Sequence, residues 1–225
     1  MQLRLHVKVR RQVYASWQVL RINCVFMIGK ALDPDDENQL WSRFCKGDRA
    51  AFDKIYTTYF PLLFQYCIRF TPDRNFILDV LQDFFIELFS KPPRHTNIQH
   101  LKSYLLVAVR RKLLKAVNKD ERLFEELADE DTYHFYLALS ADNVLIEKQD
   151  YHNRNEAIQH IVNHLTSRQR EAVYLYFYEN LSYIQIAEIM SLKEVKYART
   201  LIYRALDEMR EFLSHNKALS ALIRN

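Results

Sequence analysis

The chain has 225 residues, 49% of them hydrophobic, and a formal net charge of +4. This length suits one large domain or two small ones, and the apolar content is ample for burying their cores. Only two glycines and five prolines occur, and neither residue type is found after Pro93. Because tight hairpins normally need glycine or asparagine at positive φ, the composition excludes most β folds and predicts an all-α protein.

The basic charge is concentrated at the N-terminus. Residues 1–30 contain six basic residues and no acid, so residues 31–225 carry a net charge of −2. The overall charge is therefore a property of a tail, residues 1–34, and does not indicate nucleic-acid binding. Two interpretations of this tail stay open: a disordered basic extension, or a stretch upstream of a true start at Met27.

Cysteine usage and hydropathy bear on the compartment. Cys24, Cys45 and Cys67 are widely spaced and form no C-x-x-C pair, which favours a reduced cytoplasm over a zinc or disulfide site. No apolar run approaches the roughly 20 residues that span a bilayer. We therefore expect a cytoplasmic protein without membrane insertion.

A first helical domain is predicted over residues 35–119. Apolar residues recur at spacings of three and four from Phe52 to Phe70, which is typical of one buried helix face. Pro72 suits the first turn of a second helix, which runs to about Ser90.

One side of this second helix is polar and acidic. The residues that share it are Asp79, Gln82, Asp83 and Glu87. Such a stripe is either a solvated helix side or a docking site for a basic partner. A metal site is disfavoured, because no second acidic motif and no histidine set accompanies the stripe.

The next predicted helix, about Ile98–Asn118, is basic. Residues 91–119 contain eight basic residues and no acid, whereas residues 120–150 contain ten acids and two basic residues. The basic helix is suited to neutralise nucleic-acid phosphates, and Tyr104 on it either stacks on a base or packs in the core. The acidic residues 120–142 show weak periodicity, so we interpret them as a linker between two domains.

A second domain is predicted over residues 143–225, where periodicity returns. Ser182 can cap a helix that ends near Met190, and a turn of about three residues leads to another helix, about Lys193 to Leu213. Apolar residues recur on one side of that last helix. The opposite side carries residues that can contact DNA: Lys193, Lys196, Arg199, Thr200, Tyr203 and Arg204. An ordinary solvated basic face is the alternative interpretation.

Catalytic and metal sites are not indicated. His160 and His164 stand at positions i and i+4, but no glutamate follows His160 and no third ligand is near in the sequence. The chain has no P-loop, no G-x-S-x-G motif and no Rossmann glycine fingerprint. We expect neither enzyme activity nor a cofactor.

The stretch LTSRQREAVYLYFYENLSYIQIAEIM, followed by VKYARTLIYRALDEMREFL, resembles the C-terminal promoter-recognition domain of bacterial RNA polymerase sigma factors. Upstream, DVLQDFFIELF resembles a D-x-x-Q-D-x-F motif, and LKSYLLVAVRRKLLKAV resembles a helix that meets the minus-ten element. These features are typical of the extracytoplasmic-function (ECF) group of the sigma-70 family. The family usually carries a glycine where Ser191 stands, an asparagine where Arg111 stands and a glutamate where Gln185 stands.

The resemblance implies a sigma factor that directs core RNA polymerase to specific promoters and assists promoter melting in transcription initiation. The acidic stripe would bind core polymerase, and the DNA-facing side of the last helix would bind the minus-thirty-five element. The basic helix would bind the minus-ten element through Tyr104, Arg110, Arg111, Lys112 and Lys115. An anti-sigma factor is a further candidate partner. Two rivals are a helix-turn-helix regulator that does not bind core polymerase and a protein-interaction module that uses the helix-turn-helix as a scaffold.

Overall fold

The computed structural model describes residues 34–93, 98–117, 133–137 and 159–215. All regular structure in these residues is helical, so the all-α prediction is confirmed for them. The predicted N-terminal tail, except for Pro34 at the start of the first helix, and most of the predicted linker lie outside the described residues. Seven helices have their bounds within the described ranges: α1 Pro34–Cys45, α2 Arg49–Cys67, α3 Arg74–Ser90, α4 Leu101–Val117, α5 Ser167–Phe177, α6 Tyr183–Ile189 and α7 Val195–His215.

Helices α1 to α4 form what we call the front bundle. Helix α1 packs on α2, α3 lies against α2 and α4, and α4 also contacts α1 and α2. Fully buried side chains from all four helices fill its core, among them Trp41, Ile55, Leu81 and Leu105.

The start of α3 differs from the prediction. Asp73 caps this helix, because its carboxylate accepts a hydrogen bond from the Phe76 amide at 3.0 Å. Helix α3 therefore begins at Arg74, and Pro72 lies before the helix rather than in its first turn.

Helices α5 to α7, with the helical residues 159–163, form the rear bundle. Helix α7 packs on both α5 and α6. The predicted cap of α6 is confirmed, since the Ser182 hydroxyl accepts from the Gln185 amide and Gln185 Oε1 accepts from the Ser182 amide at 2.8 Å. The apolar side of α7 is also buried as predicted, through Ala198, Ile202, Ala205 and Met209.

The turn between α6 and α7 is longer than predicted. Helix α6 ends at Ile189 and α7 begins at Val195. Between them, Ser191 takes a left-handed conformation with a φ of 54°, and the Leu192 amide donates back to the Ala187 carbonyl at 2.8 Å. Glycine adopts this conformation without strain from a Cβ atom, which explains its use at this place in the family that the sequence resembles.

The two bundles are in contact with each other. Helix α4 of the front bundle packs against α6 of the rear bundle. The segment 133–137 lies between α2 and α5, and its Phe135 is fully buried. None of the helices in the described ranges combines the length and hydrophobicity that crossing a bilayer requires.

Candidate nucleic-acid and protein interfaces

The exposed side of α7 is the first candidate interface, and we call it the reading face. It brings together five of the six predicted residues: Lys196, Arg199, Thr200, Tyr203 and Arg204. The Arg199 guanidinium lies 5.4 Å from the centre of the Tyr183 ring, so α6 supports the position of this side chain. Lys196 Nζ lies 2.8 Å from Glu194, whose carboxylate offsets part of the positive charge.

Tyr197 belongs to the reading face as well, although the sequence analysis did not include it. Its side chain is 44% exposed, and Lys196 Nζ lies 5.2 Å from the centre of its ring. The sequence spacing could have identified it, because Tyr197 precedes Thr200 by three residues and Arg204 by seven. Such spacings place side chains on the same side of a helix. Lys193, in contrast, is exposed in the turn before α7 rather than on the helix.

A groove of about 800 Å³ between α3 and α4 is the second candidate interface. Lys91 lines this groove as a cation, and Phe84 gives it an apolar wall. The groove therefore combines cations with aromatic surface, the two components that proteins use to hold single-stranded nucleic acid. Four of the predicted minus-ten residues line it: Tyr104, Arg111, Lys112 and Lys115.

Two side chains connect this groove to the packing of the front bundle. Tyr104 is half-buried, its ring meets the Trp41 ring edge-on with centroids 4.9 Å apart, and burial raises the pKa of its hydroxyl. The structure therefore confirms that Tyr104 packs against the core, and because Tyr104 also lines the groove, its stacking on a base stays a prediction. Lys112 Nζ lies 2.8 Å from Glu87, and this hydrogen bond lowers the pKa of the Glu87 carboxyl.

Arg110 departs from the prediction that it contacts DNA beside Arg111. Its side chain is buried, and its guanidinium donates two hydrogen bonds to Glu171 on α5. It does not line the groove. In this arrangement Arg110 faces the rear bundle, where a phosphate group cannot reach it.

The exposed side of α3 is the third candidate interface, and we call it the acidic face. It carries Asp79, Gln82, Asp83 and Glu87, all four of them exposed. Apolar side chains accompany these residues, since Ile86 is 54% and Phe89 44% exposed on the same helix. The sequence analysis missed both, although Ile86 follows Asp79 by seven residues and Phe89 follows Gln82 by seven. Exposed apolar groups among charges are typical of a protein-binding surface.

The histidines weighed as zinc ligands do not gather a metal site. His160 and His164 are both exposed, and the His164 ring packs against Phe212 with ring centres 4.1 Å apart. Within the described ranges, no three His, Cys, Asp or Glu side chains lie close enough to hold a metal ion.

Two family models match the chain in the regions that hold these interfaces. The model described as sigma-70 region 2 matches residues 55–123, and the model described as sigma-70, region 4 matches residues 155–209. Together the two matches cover more than half of the chain. The chain belongs to the sigma-70 family. It is a sigma factor that acts in transcription initiation, and the pairing of regions 2 and 4 supports its place in the ECF group.

Two solved structures share the fold. CnrH, in complex with the cytosolic domain of CnrY, has a TM-score of 0.52 and 16% identity, and the match covers 80% of this chain and 97% of that one. The sigma factor RpoE, in complex with the anti-sigma factor NepR from Bartonella quintana, has a TM-score of 0.50 and 21% identity, with 72% of this chain and 96% of that one covered. No curated protein sequence matches the chain.

Family membership fixes the general partners of the chain. Regions 2 and 4 of the sigma-70 family bind core RNA polymerase and promoter DNA. Sigma factors are regulatory proteins rather than enzymes. The region 2 match contains both the acidic face and the groove, and the region 4 match contains the reading face.

Proposed function

We propose that the three interfaces divide promoter recognition between them. The reading face binds the minus-thirty-five element, the groove holds the melted minus-ten strand, and the acidic face binds core polymerase. The observation that carries this proposal is the two-sided character of α7, whose apolar side is buried while Arg199 and Arg204 are exposed on the opposite side. Such a helix can be held rigidly and still enter a major groove.

The reading face suits contacts to base edges. An arginine such as Arg199 or Arg204 can donate two hydrogen bonds to the O6 and N7 atoms of guanine, and each such pair contributes about 1–3 kcal/mol to discrimination. Lys193 and Lys196 are suited to phosphate contacts, which set the register of the helix on the duplex. We therefore assign sequence preference to the arginines and general affinity to the lysines.

The groove suits a single strand. Extruding a base from the stack costs a few kcal/mol, and stacking on an aromatic ring returns about 1–3 kcal/mol per base. Tyr104 is an aromatic side chain that lines the groove together with the cations Arg111, Lys112 and Lys115. We assign these four residues to the minus-ten strand.

The acidic face suits a basic surface of core polymerase through Asp79, Gln82, Asp83 and Glu87. An anti-sigma factor is a second proposed partner of this face, because Ile86 and Phe89 leave apolar area uncovered. The two solved structures described above are both complexes, and one of their partners is named as an anti-sigma factor. This division of roles places the protein in the cytoplasm, with the polymerase and its template.

Transcription in vitro with purified core polymerase and a library of promoter fragments tests the proposal. We expect the chain to select a subset of promoters that share two sequence elements and to raise initiation on them well above that of core polymerase alone. A chain that binds duplex DNA but leaves polymerase unbound would instead support the regulator without polymerase contact. A protein-interaction module would show no salt-dependent DNA affinity even in the presence of polymerase.

A further inference from the structure

The reading face carries apolar surface among its cations. Tyr197, in the first turn of α7, is 44% exposed, and Thr200 is also exposed one turn further along the helix. Their spacing of three residues makes the two side chains neighbours on the helix surface. Lys196 and Arg204 each lie four residues from Thr200 and flank the pair on the same side. Tyr197 and Thr200 therefore lie among groups that can bind phosphates and bases.

The hydroxyl group of Thr200 already has a partner within α7. It donates to the Lys196 carbonyl oxygen at 2.9 Å, a bond to the preceding turn of the helix. A threonine hydroxyl has a single proton to donate, so this proton is not available to a base or a phosphate. Apart from the acceptor capacity of its oxygen, the group that Thr200 offers to a bound partner is its methyl group.

The ring of Tyr197 has a neighbour on the surface but no place in the core. Lys196 Nζ lies 5.2 Å from the ring centre, and the same ammonium lies 2.8 Å from the Glu194 carboxylate. The buried side of α7 does not include Tyr197 and consists of Ala198, Ile202, Ala205 and Met209. Packing of the rear bundle therefore does not explain an aromatic side chain at this position.

The chemistry of the DNA major groove indicates what such a pair can recognise. Among the base edges in that groove, only thymine presents an apolar group, its C5-methyl. In a helix-turn-helix, residues near the start of the second helix contact base edges, and Tyr197 and Thr200 are the third and sixth residues of α7. A tyrosine hydroxyl can also donate to a phosphate, but the methyl group of Thr200 cannot. The two side chains together therefore match thymine better than a phosphate.

We propose that Tyr197 and Thr200 read the methyl group of a thymine in the minus-thirty-five element. This assignment rests on the proposed function of the reading face and names a further part of its specificity. The contact removes the thymine methyl, the tyrosine ring and the threonine methyl from water and needs no hydrogen bond. One methyl group buried in this way corresponds to about a fourfold preference in binding, the value of one buried CH2 group.

Competition binding of the polymerase complex to modified promoter fragments tests the proposal. Deoxyuridine replaces thymidine at one position of the minus-thirty-five element at a time, which removes the methyl group and leaves every polar atom of the base pair. We expect one such replacement to weaken binding by the wild-type complex about fourfold. With a C·G pair at that position, 5-methylcytosine should bind about fourfold better than cytosine, because its methyl group lies at the same place in the groove.

Substitutions on α7 assign the effect to the two side chains. Thr200→Ser removes one methyl group but keeps the hydroxyl that bonds to Lys196, and Tyr197→Ala removes the ring. Each should reduce the preference for thymine over deoxyuridine to below about twofold. Tyr197→Phe keeps the ring and should keep the wild-type preference. Thr57→Ser is the matched control, because Thr57 is exposed on α2 and its hydroxyl likewise donates to the preceding turn, at 2.8 Å from the Asp53 carbonyl oxygen.

The outcomes separate this inference from the proposed function. Sequence selection without any effect of deoxyuridine, or a selected element that lacks thymine, overturns the inference alone. The same holds if Thr200→Ser and Tyr197→Ala keep the wild-type preference, because the methyl group would then be sensed elsewhere. An equal loss of affinity for Tyr197→Ala on both fragments would assign Tyr197 to a phosphate and overturn its role in methyl reading. A polymerase complex that selects no minus-thirty-five sequence refutes the proposed function, and the inference with it.

Discussion

The two sides of α4 carry like charges in opposite surroundings. On the outer side, Arg111, Lys112 and Lys115 line a groove that is open to solvent. On the inner side, Arg110 is buried in hydrogen bonds with Glu171, and Lys102 pairs with Glu179. The difference teaches that a basic helix is not uniformly a nucleic-acid surface, because its buried cations pair with carboxylates of the rear bundle while its outer cations line an open groove.

The largest expected effect is a loss of stability at alkaline pH, which involves the two tyrosines that donate to Glu171 beside Arg110. Tyr66 and Tyr133 have pKa values above the ordinary value of 10.0, so the folded chain keeps protons that the unfolded chain loses. Their contribution to stability is complete below pH 10 and falls as the pH rises above it, by at most about 1.4 kcal/mol per pH unit for each tyrosine. Urea unfolding at a series of pH values from 9 to 12 measures this loss.

The matched control for the alkaline loss is the double variant Tyr66→Phe and Tyr133→Phe. It lacks both hydroxyl groups, so its free energy of unfolding should fall less steeply above pH 10. Equal slopes for the variant and the wild type would assign the alkaline loss to other groups.

Neighbouring arginines on α4 give the sharpest mutational comparison. Arg110→Leu leaves Glu171 without its ion pair, and we expect it to lower the free energy of unfolding by about 3 kcal/mol, as for other broken buried pairs. Arg111→Leu should change stability by less than about 0.5 kcal/mol, because the side chain is exposed. Urea unfolding of both variants checks this contrast, and similar losses would contradict the assignment of inner and outer sides.

On the reading face, Arg199→Ala should weaken promoter binding by about 2 kcal/mol, or roughly thirtyfold, if the arginine contacts a base edge. The effect should fall on promoters with the preferred base, so that sequence preference is relaxed. Lys193→Ala serves as the comparison, since a phosphate contact weakens binding about equally on all sequences. Competition binding of the polymerase complex to matched and mismatched promoters distinguishes them, and identical profiles for the two variants would argue against base reading by Arg199.

The smallest of these effects is expected on the acidic face. Asp83→Lys should weaken the affinity for core polymerase about tenfold, or about 1.4 kcal/mol, by placing a like charge against a basic partner. Asp53→Lys, a reversal at an exposed position of α2, should leave that affinity unchanged. Titration of labelled core polymerase with each variant measures both, and an unchanged affinity for Asp83→Lys would remove the acidic face from the polymerase contact.

Much of the local structure was predictable because neighbouring residues carry its signals. The Ser182 cap and the buried side of α7 follow from residue type and spacing, and the structure confirms both. The connection around Ser191 is longer than the predicted three residues, because the helices end at Ile189 and begin again at Val195, and Ser191 takes a positive φ that serine rarely adopts. Tyr197, Ile86 and Phe89 were missed although their helical spacing would have found them.

The separation of inner from outer cations had no such local signal. Arg110 and Glu171 are 61 residues apart, and Phe135 is buried only because both bundles cover it. Residue spacing was enough to establish the helices, their caps and their amphipathic sides, because these depend on side chains three or four positions apart. The burial of a charge depends instead on which distant surface covers it. Only the tertiary arrangement therefore decided that Arg110 is buried against Glu171 of the rear bundle while Arg111 is exposed to solvent.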